Sequence, residues 1–122
     1  MIRILILSLV ISFCHFTSVY SQEYDKVRIE TRGENGSMKS VYESDDQEAI
    51  QKLVSCMKGR NAPNFKCGYT GKIVFVKKDK SEYEVEFNIK SCDHIVYMKG
   101  DRLISHYLKQ ENIELLKNLT KQ

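Results

Sequence analysis

The chain predicts an α+β domain: an antiparallel sheet of about six strands in the order β-β-α-β-β-β-β-α, with two helices packed on one face. Three observations carry this. Short runs of alternating apolar and polar residues recur along the chain, turn signals separate them, and two segments switch to helical spacing. With 122 residues, 19 Lys+Arg, 16 Asp+Glu and one Pro, there is material for one domain. A formal charge of +3 is too small to argue for nucleic-acid binding, and 42% hydrophobic content is too high for a disordered chain.

The first 21 residues read as a secretory signal peptide, because Arg3 precedes an apolar run from Ile4 to Cys14 and charges begin only at Glu23. Val19 and Ser21 suit the processing site, so cleavage is expected after Ser21, leaving a single domain over 22–122. The run falls short of the roughly 18 to 20 apolar residues that span a bilayer, which argues against a retained anchor. Phe13 before Cys14 argues against a lipoprotein signal, which favours a small residue there. The expected location is secreted or periplasmic, with no membrane attachment after cleavage.

In the mature chain, Lys26 to Arg32 alternates Val27, Ile29 and Thr31 with charged residues, as a strand with one wet face does. The turn Gly33-Glu34-Asn35-Gly36-Ser37 leads to a return strand over Met38 to Glu43. Asp45 and Glu48 have capping-box spacing, and Ala49, Ile50, Leu53, Val54 and Met57 recur with helical period, predicting a helix from about Asp46 to Lys58 ended by Gly59. Arg60 to Tyr69 holds the Pro and two Asn and reads as a loop. Lys72 to Lys78 and Glu82 to Ile89 form a hairpin, Asp93 to Met98 and Arg102 to Tyr107 a second. Leu108 to Leu119 closes the chain as a helix with a partly apolar stripe.

Three cysteines, Cys56, Cys67 and Cys92, remain after signal removal, so one stays unpaired or bonds elsewhere. A two-residue loop at Asp79-Lys80 sets Cys67 opposite Cys92 and puts Val74 and Val76 on the face of Tyr83, Val85 and Phe87. A three-residue loop instead aligns Ile73 and Phe75 with Phe87 and Val85. Both registers stand at this level, as do pairings of Cys56 with either partner. Cys67–Cys92 is the favoured bridge, with Cys56 left as a half-buried small hydrophobe.

No catalytic or cofactor motif is present. His94 and His106 lack metal-ligand spacing, so neither a metal nor a cofactor is expected. Pairing of Cys56 with either histidine as a nucleophile has no local signature. Glu82, Glu84 and Glu86 alternate strictly with Tyr83, Val85 and Phe87, which a solvated strand face explains better than an acid–base pair. Two triplets, Asn35-Gly36-Ser37 and Asn118-Leu119-Thr120, fit N-glycosylation but also fit a turn and a helix end.

The most suggestive surface is basic, with aromatic residues interleaved. Lys58, Arg60, Phe65, Lys66, Tyr69 and Lys72 are the candidate partner-binding residues, with Lys77, Lys78 and Lys80 beyond them. The partner expected is another protein, such as an acidic enzyme or toxin, met through this loop or a sheet edge. In general character the chain is similar to small periplasmic hydrolase inhibitors and immunity proteins. A structural component of the cell envelope is the alternative, and a small thiol enzyme the third reading.

Overall fold

The computed structural model describes residues 23–64 and 67–121. The expected signal peptide and its cleavage site, together with Phe65 and Lys66, lie outside the described residues. The elements are β1 (Tyr24–Arg32), β2 (Met38–Ser44), α1 (Gln47–Val54) with a 3-10 turn (Ser55–Lys58), β3 (Gly71–Lys77), β4 (Glu82–Asn88), β5 (His94–Lys99), β6 (Arg102–Tyr107) and α2 (Gln110–Thr120). All neighbours pair antiparallel in one sheet ordered β2-β1-β3-β4-β5-β6. The predicted α+β layout is therefore the one observed.

Alternation decides which face is buried. Val27 and Ile29 of β1, Ile73 and Phe75 of β3, Val85 and Phe87 of β4 and Ile95 of β5 all lie buried on one face. Ile50, Leu53 and Cys56 from the first helical segment and Ile113 and Leu116 from α2 join the same core, with Leu108 closing it just before α2. At about 1.5 to 3 kcal/mol per large apolar side chain, this layer is the main force holding the helices to the sheet.

The helix starts one residue later than the capping-box spacing suggests. Asp46, not Asp45, is the N-cap, its carboxylate accepting from the Glu48 N–H at 3.4 Å. Gly59 ends the segment for a different reason from the one expected. Its backbone is extended rather than left-handed, and a Cβ there would meet the Tyr107 carbonyl oxygen at 1.7 Å. The glycine is needed so that β6 can pass.

The central hairpin pairs Ile73 with Val85 and Phe75 with Tyr83, leaving a three-residue loop over 78–80 with Lys80 at φ 74°. That excludes the two-residue register. The three-residue expectation chose the right face, Ile73 and Phe75 inward, but its partners shift by two residues, because Ser81 belongs to the pairing and Lys78 to the loop. In the first hairpin the five-residue turn places only Gly36, at φ 81°, in the left-handed region, while Asn35 Oδ1 accepts from the Ser37 N–H at 3.2 Å.

Cys67 and Cys92 form the disulfide, closing the open end of the central hairpin with Cα atoms 6.4 Å apart. Cys56 is free and buried. The bridge is compatible with an extracellular or periplasmic location. Among the described residues no helix is long and apolar enough to cross a membrane.

Candidate functional site

The structure separates residues that the sequence groups as one basic loop. Arg60 lies over the Tyr107 ring, 5.6 Å from its centroid. Its carbonyl accepts from the Tyr107 N–H at 2.8 Å, Asn61 bridges to His106, and the Ala62 N–H donates to the Ser105 carbonyl at 2.9 Å. The segment over 60–63 therefore bridges to β6 and covers the Ser105 to Tyr107 part of that edge of the sheet. Here the loop's first half is framework.

Tyr69 and Lys72 sit at the start of β3, beside Arg32, Met38, Gly71 and Glu86 around a hollow of about 150 Å³. The Tyr69 ring lies 6.1 Å from that of His94, and burial holds its hydroxyl above the usual tyrosine range, with help from the nearby Glu86 carboxylate. Lys72 is not a spare cation. Its ammonium contacts Glu84 at 3.0 Å and Glu30 at 3.9 Å. Arg28 next to it binds both Glu30, at 2.7 Å, and Glu82, and the Arg28 guanidinium holds the Glu82 carboxyl below its ordinary range. Lys26 pairs with Glu43 on the same open face. Glu82 and Glu84 of β4 are thus paired in a cross-strand ladder, as expected of a solvated face.

Lys58 lies elsewhere. It joins Lys77, at the far end of β3, and Lys99, at the end of β5, around a groove of about 380 Å³. Six steps of strand separate Gly71 from Lys77, about 20 Å. Tyr24, Tyr83 and Tyr97 form the groove floor with Val54 and Met57, and Glu23 stands at its margin. Among the described residues, no carboxylate lies within 4.0 Å of these three lysines.

The floor is built by strand alternation. Phe75 pairs with Tyr83, so Tyr83 shares the inward face, and Tyr97 packs against the same core from β5. Tyr24 stacks on Phe75 with ring centroids 4.8 Å apart. Two hydroxyls are used internally: Tyr83 donates to the Met98 carbonyl at 2.6 Å and Tyr97 to the Met57 carbonyl at 3.5 Å. Burial, followed by the Glu23 carboxylate, pushes the Tyr24 hydroxyl up to about 12. Burial likewise raises Tyr83 and Tyr97, so all three rings are neutral at physiological pH. The result is an uncharged aromatic floor with an ammonium rim.

The residues considered for chemistry are placed differently. Cys56 is 1% exposed, its sulfur points at the Lys52 carbonyl at 4.0 Å, and burial pushes the thiol up to about 12. A thiol so raised is a poor source of thiolate. His94 is fully buried, and burial lowers its pKa. Among the described residues no three His, Cys, Asp or Glu side chains gather as a metal site.

Sequence reading places Lys58 and Lys77 in the basic surface but misses the rest of the groove. Lys99 stands outside the basic candidates, Tyr83 and Tyr97 fall within predicted strands, and Tyr24 precedes the first of them. The usable signal was inward tyrosines close to strand ends, where an aromatic body is covered and its rim stays wet. Set against family models, curated proteins and solved structures, the chain finds no match in any of the three comparisons.

Proposed function

We propose that this chain is a secreted or periplasmic, non-catalytic protein-binding domain, of the kind that blocks a partner enzyme or toxin. The observation that carries this reading is the groove of Lys58, Lys77 and Lys99 over three neutral tyrosines. Rim lysines that form no ion pair among the described residues favour encounter with an acidic surface, and tyrosines provide contact area at small entropic cost. Burial of the only free thiol among the described residues weighs against the thiol-enzyme alternative.

The test is capture of partners by the unreduced mature chain from the source's secreted and envelope fractions, beside a Lys58→Glu/Lys77→Glu/Lys99→Glu variant. One stoichiometric partner, lost with the variant and inhibited by the wild type, is the expected result. A partner retained by the variant would remove the groove from the proposal.

The envelope-assembly reading has its own observation. Among the described residues the outer edge of β2 has no neighbour in the sheet, and Met38 and Val41 are 39% and 38% exposed there. Against it, the register between β1 and β2 shifts at Ile29/Glu30 so that Val41 is an extra residue, a bulge of the kind that blunts edge pairing. Sedimentation that stays monomeric at high concentration would dispose of self-assembly.

A further inference from the structure

Resting on the reading of this chain as a protein-binding domain, we infer that the groove takes an acidic segment of its partner, one aromatic or aliphatic side chain flanked by carboxylates. The shape supplies the first half of the inference. A recess of about 380 Å³ floored by Tyr24, Tyr83 and Tyr97 has room for one large side chain. Tyr24 is 7% exposed and Tyr83 and Tyr97 are half-buried, so the rings offer part of their apolar bodies to a side chain laid into an open groove.

Charge supplies the second half. Lys58, Lys77 and Lys99 come from the 3-10 turn, β3 and β5, so their ammonium groups approach the recess from different elements. The open face, by contrast, matches Lys72 and Arg28 with internal carboxylates. The groove lysines, none of them in an ion pair among the described residues, are complementary to an anionic ligand, and their distribution suits carboxylates on both sides of the inserted residue. A bilayer of anionic lipid fits less well. It would need large apolar side chains exposed beside the lysines, whereas the aromatic and aliphatic residues of this groove are buried or half-buried.

Glu23 adds a sign-specific feature. It stands on the same groove and its carboxylate acts on both Tyr24 and Tyr83. As the one acid on the rim, it opposes an anionic ligand, so its neutralisation should strengthen binding where loss of a lysine weakens it. A merely structural role for the lysines gives no such pair of opposite signs.

The probe is a short fluorescein-labelled peptide with one phenylalanine between glutamates, titrated with the unreduced mature chain and read by anisotropy. Saturable binding is expected, weakening as salt rises past about 0.15 M. Lys58→Ala, Lys77→Ala and Lys99→Ala should each cost roughly two- to fivefold, and Glu23→Gln should gain a similar factor. Replacing the peptide phenylalanine by alanine should cost about tenfold. Circular dichroism and thermal midpoints establish that each variant folds.

Absence of peptide binding, or binding indifferent to the lysines, would overturn the inference. Binding to phosphatidylglycerol vesicles through the same lysines, with none to the peptide, would overturn it in favour of a membrane ligand. If a partner is captured through these lysines while the peptide stays unbound, only the acidic-segment inference fails. If capture yields no partner either, the protein-binding reading fails with it.

Discussion

The two ends of β3 use polar groups in opposite ways. At the Gly71 end Lys72 is paired with carboxylates across the sheet and Asn88 is a hub of hydrogen bonds. Its side-chain nitrogen donates to the carbonyls of Cys67 and Gly68, at 3.4 and 3.0 Å, while its oxygen accepts from the N–H groups of Lys90, Ser91 and Cys92. One buried side chain thus holds both arms of the disulfide. At the Lys77 end three ammonium groups ring a tyrosine floor where Glu23 is the one acid in the lining, and among the described residues none of the three is held in an ion pair. The first arrangement stabilises the fold, and the second leaves interaction capacity for something outside the chain. Charge or polarity alone does not separate structural from functional residues; whether each group already has its partner does.

Breaking the clamped end should have the largest effect on stability. A Cys67→Ala/Cys92→Ala variant releases a loop with a sequence separation of 25. Chain entropy gives that closure a value of about 3 kcal/mol, so chemical denaturation should show a loss near this size, and reduction of the wild type should reproduce it. Asn88→Ala comes next. It leaves several part-buried backbone carbonyl and N–H groups without this partner at once, and a loss of about 1 to 2 kcal/mol with the bridge intact is expected. A wild-type midpoint for Asn88→Ala would mean that the disulfide alone orders this end.

The open-face ladder should matter less. Arg28→Ala removes contacts to Glu30 and Glu82, but the side chains involved are partly exposed, so about 1 kcal/mol or less is expected, shrinking with added salt. The same pairing gives a pH dependence. Glu82 is held below its ordinary range, so its contribution is present above the unfolded-state pKa and is lost as pH falls through the folded one.

His94 contributes a separate slope of the same direction near neutrality. Burial lowers its folded pKa, so the unfolded chain binds the proton first, and stability present above about pH 6.5 declines as the medium is acidified. Thermal midpoints measured from pH 7.5 to 5 should fall for the wild type and fall less steeply for His94→Gln. The smallest stability effect belongs to the groove. Lys58→Ala/Lys77→Ala/Lys99→Ala should move the unfolding free energy by no more than about 0.5 kcal/mol while partner binding drops. Substantial destabilisation would show that these lysines serve the fold, and the contrast between the two ends would collapse.

Strands and helices were legible because their residues answer to local rules. Val27, Ile29 and Thr31 alternate whatever surrounds them, and Ile50, Leu53 and Cys56 fall on one side of a helical segment by spacing alone. The favoured disulfide was legible too, since a hairpin between Cys67 and Cys92 brings its open ends together. Register was harder. Both loops offered an apolar face, and the structure takes neither pairing: a loop over 78–80 buries Ile73, Phe75, Val85 and Phe87 together while Lys80 absorbs a positive φ.

What the sequence determined by itself was the α+β element order, the inward face of most strands and the small set of cysteines able to bridge. Tertiary structure decided which charges remain for a partner. Lys72 and Lys77 are both strand lysines in one short segment, yet Lys72 meets Glu84 and Glu30 across the sheet, whereas Lys77 meets Lys58 and Lys99 around the groove. The physical reason is that an ion pair or a groove is made by residues distant in the chain. Local periodicity fixes the face a side chain takes, and only strand order and helix packing fix what stands opposite it.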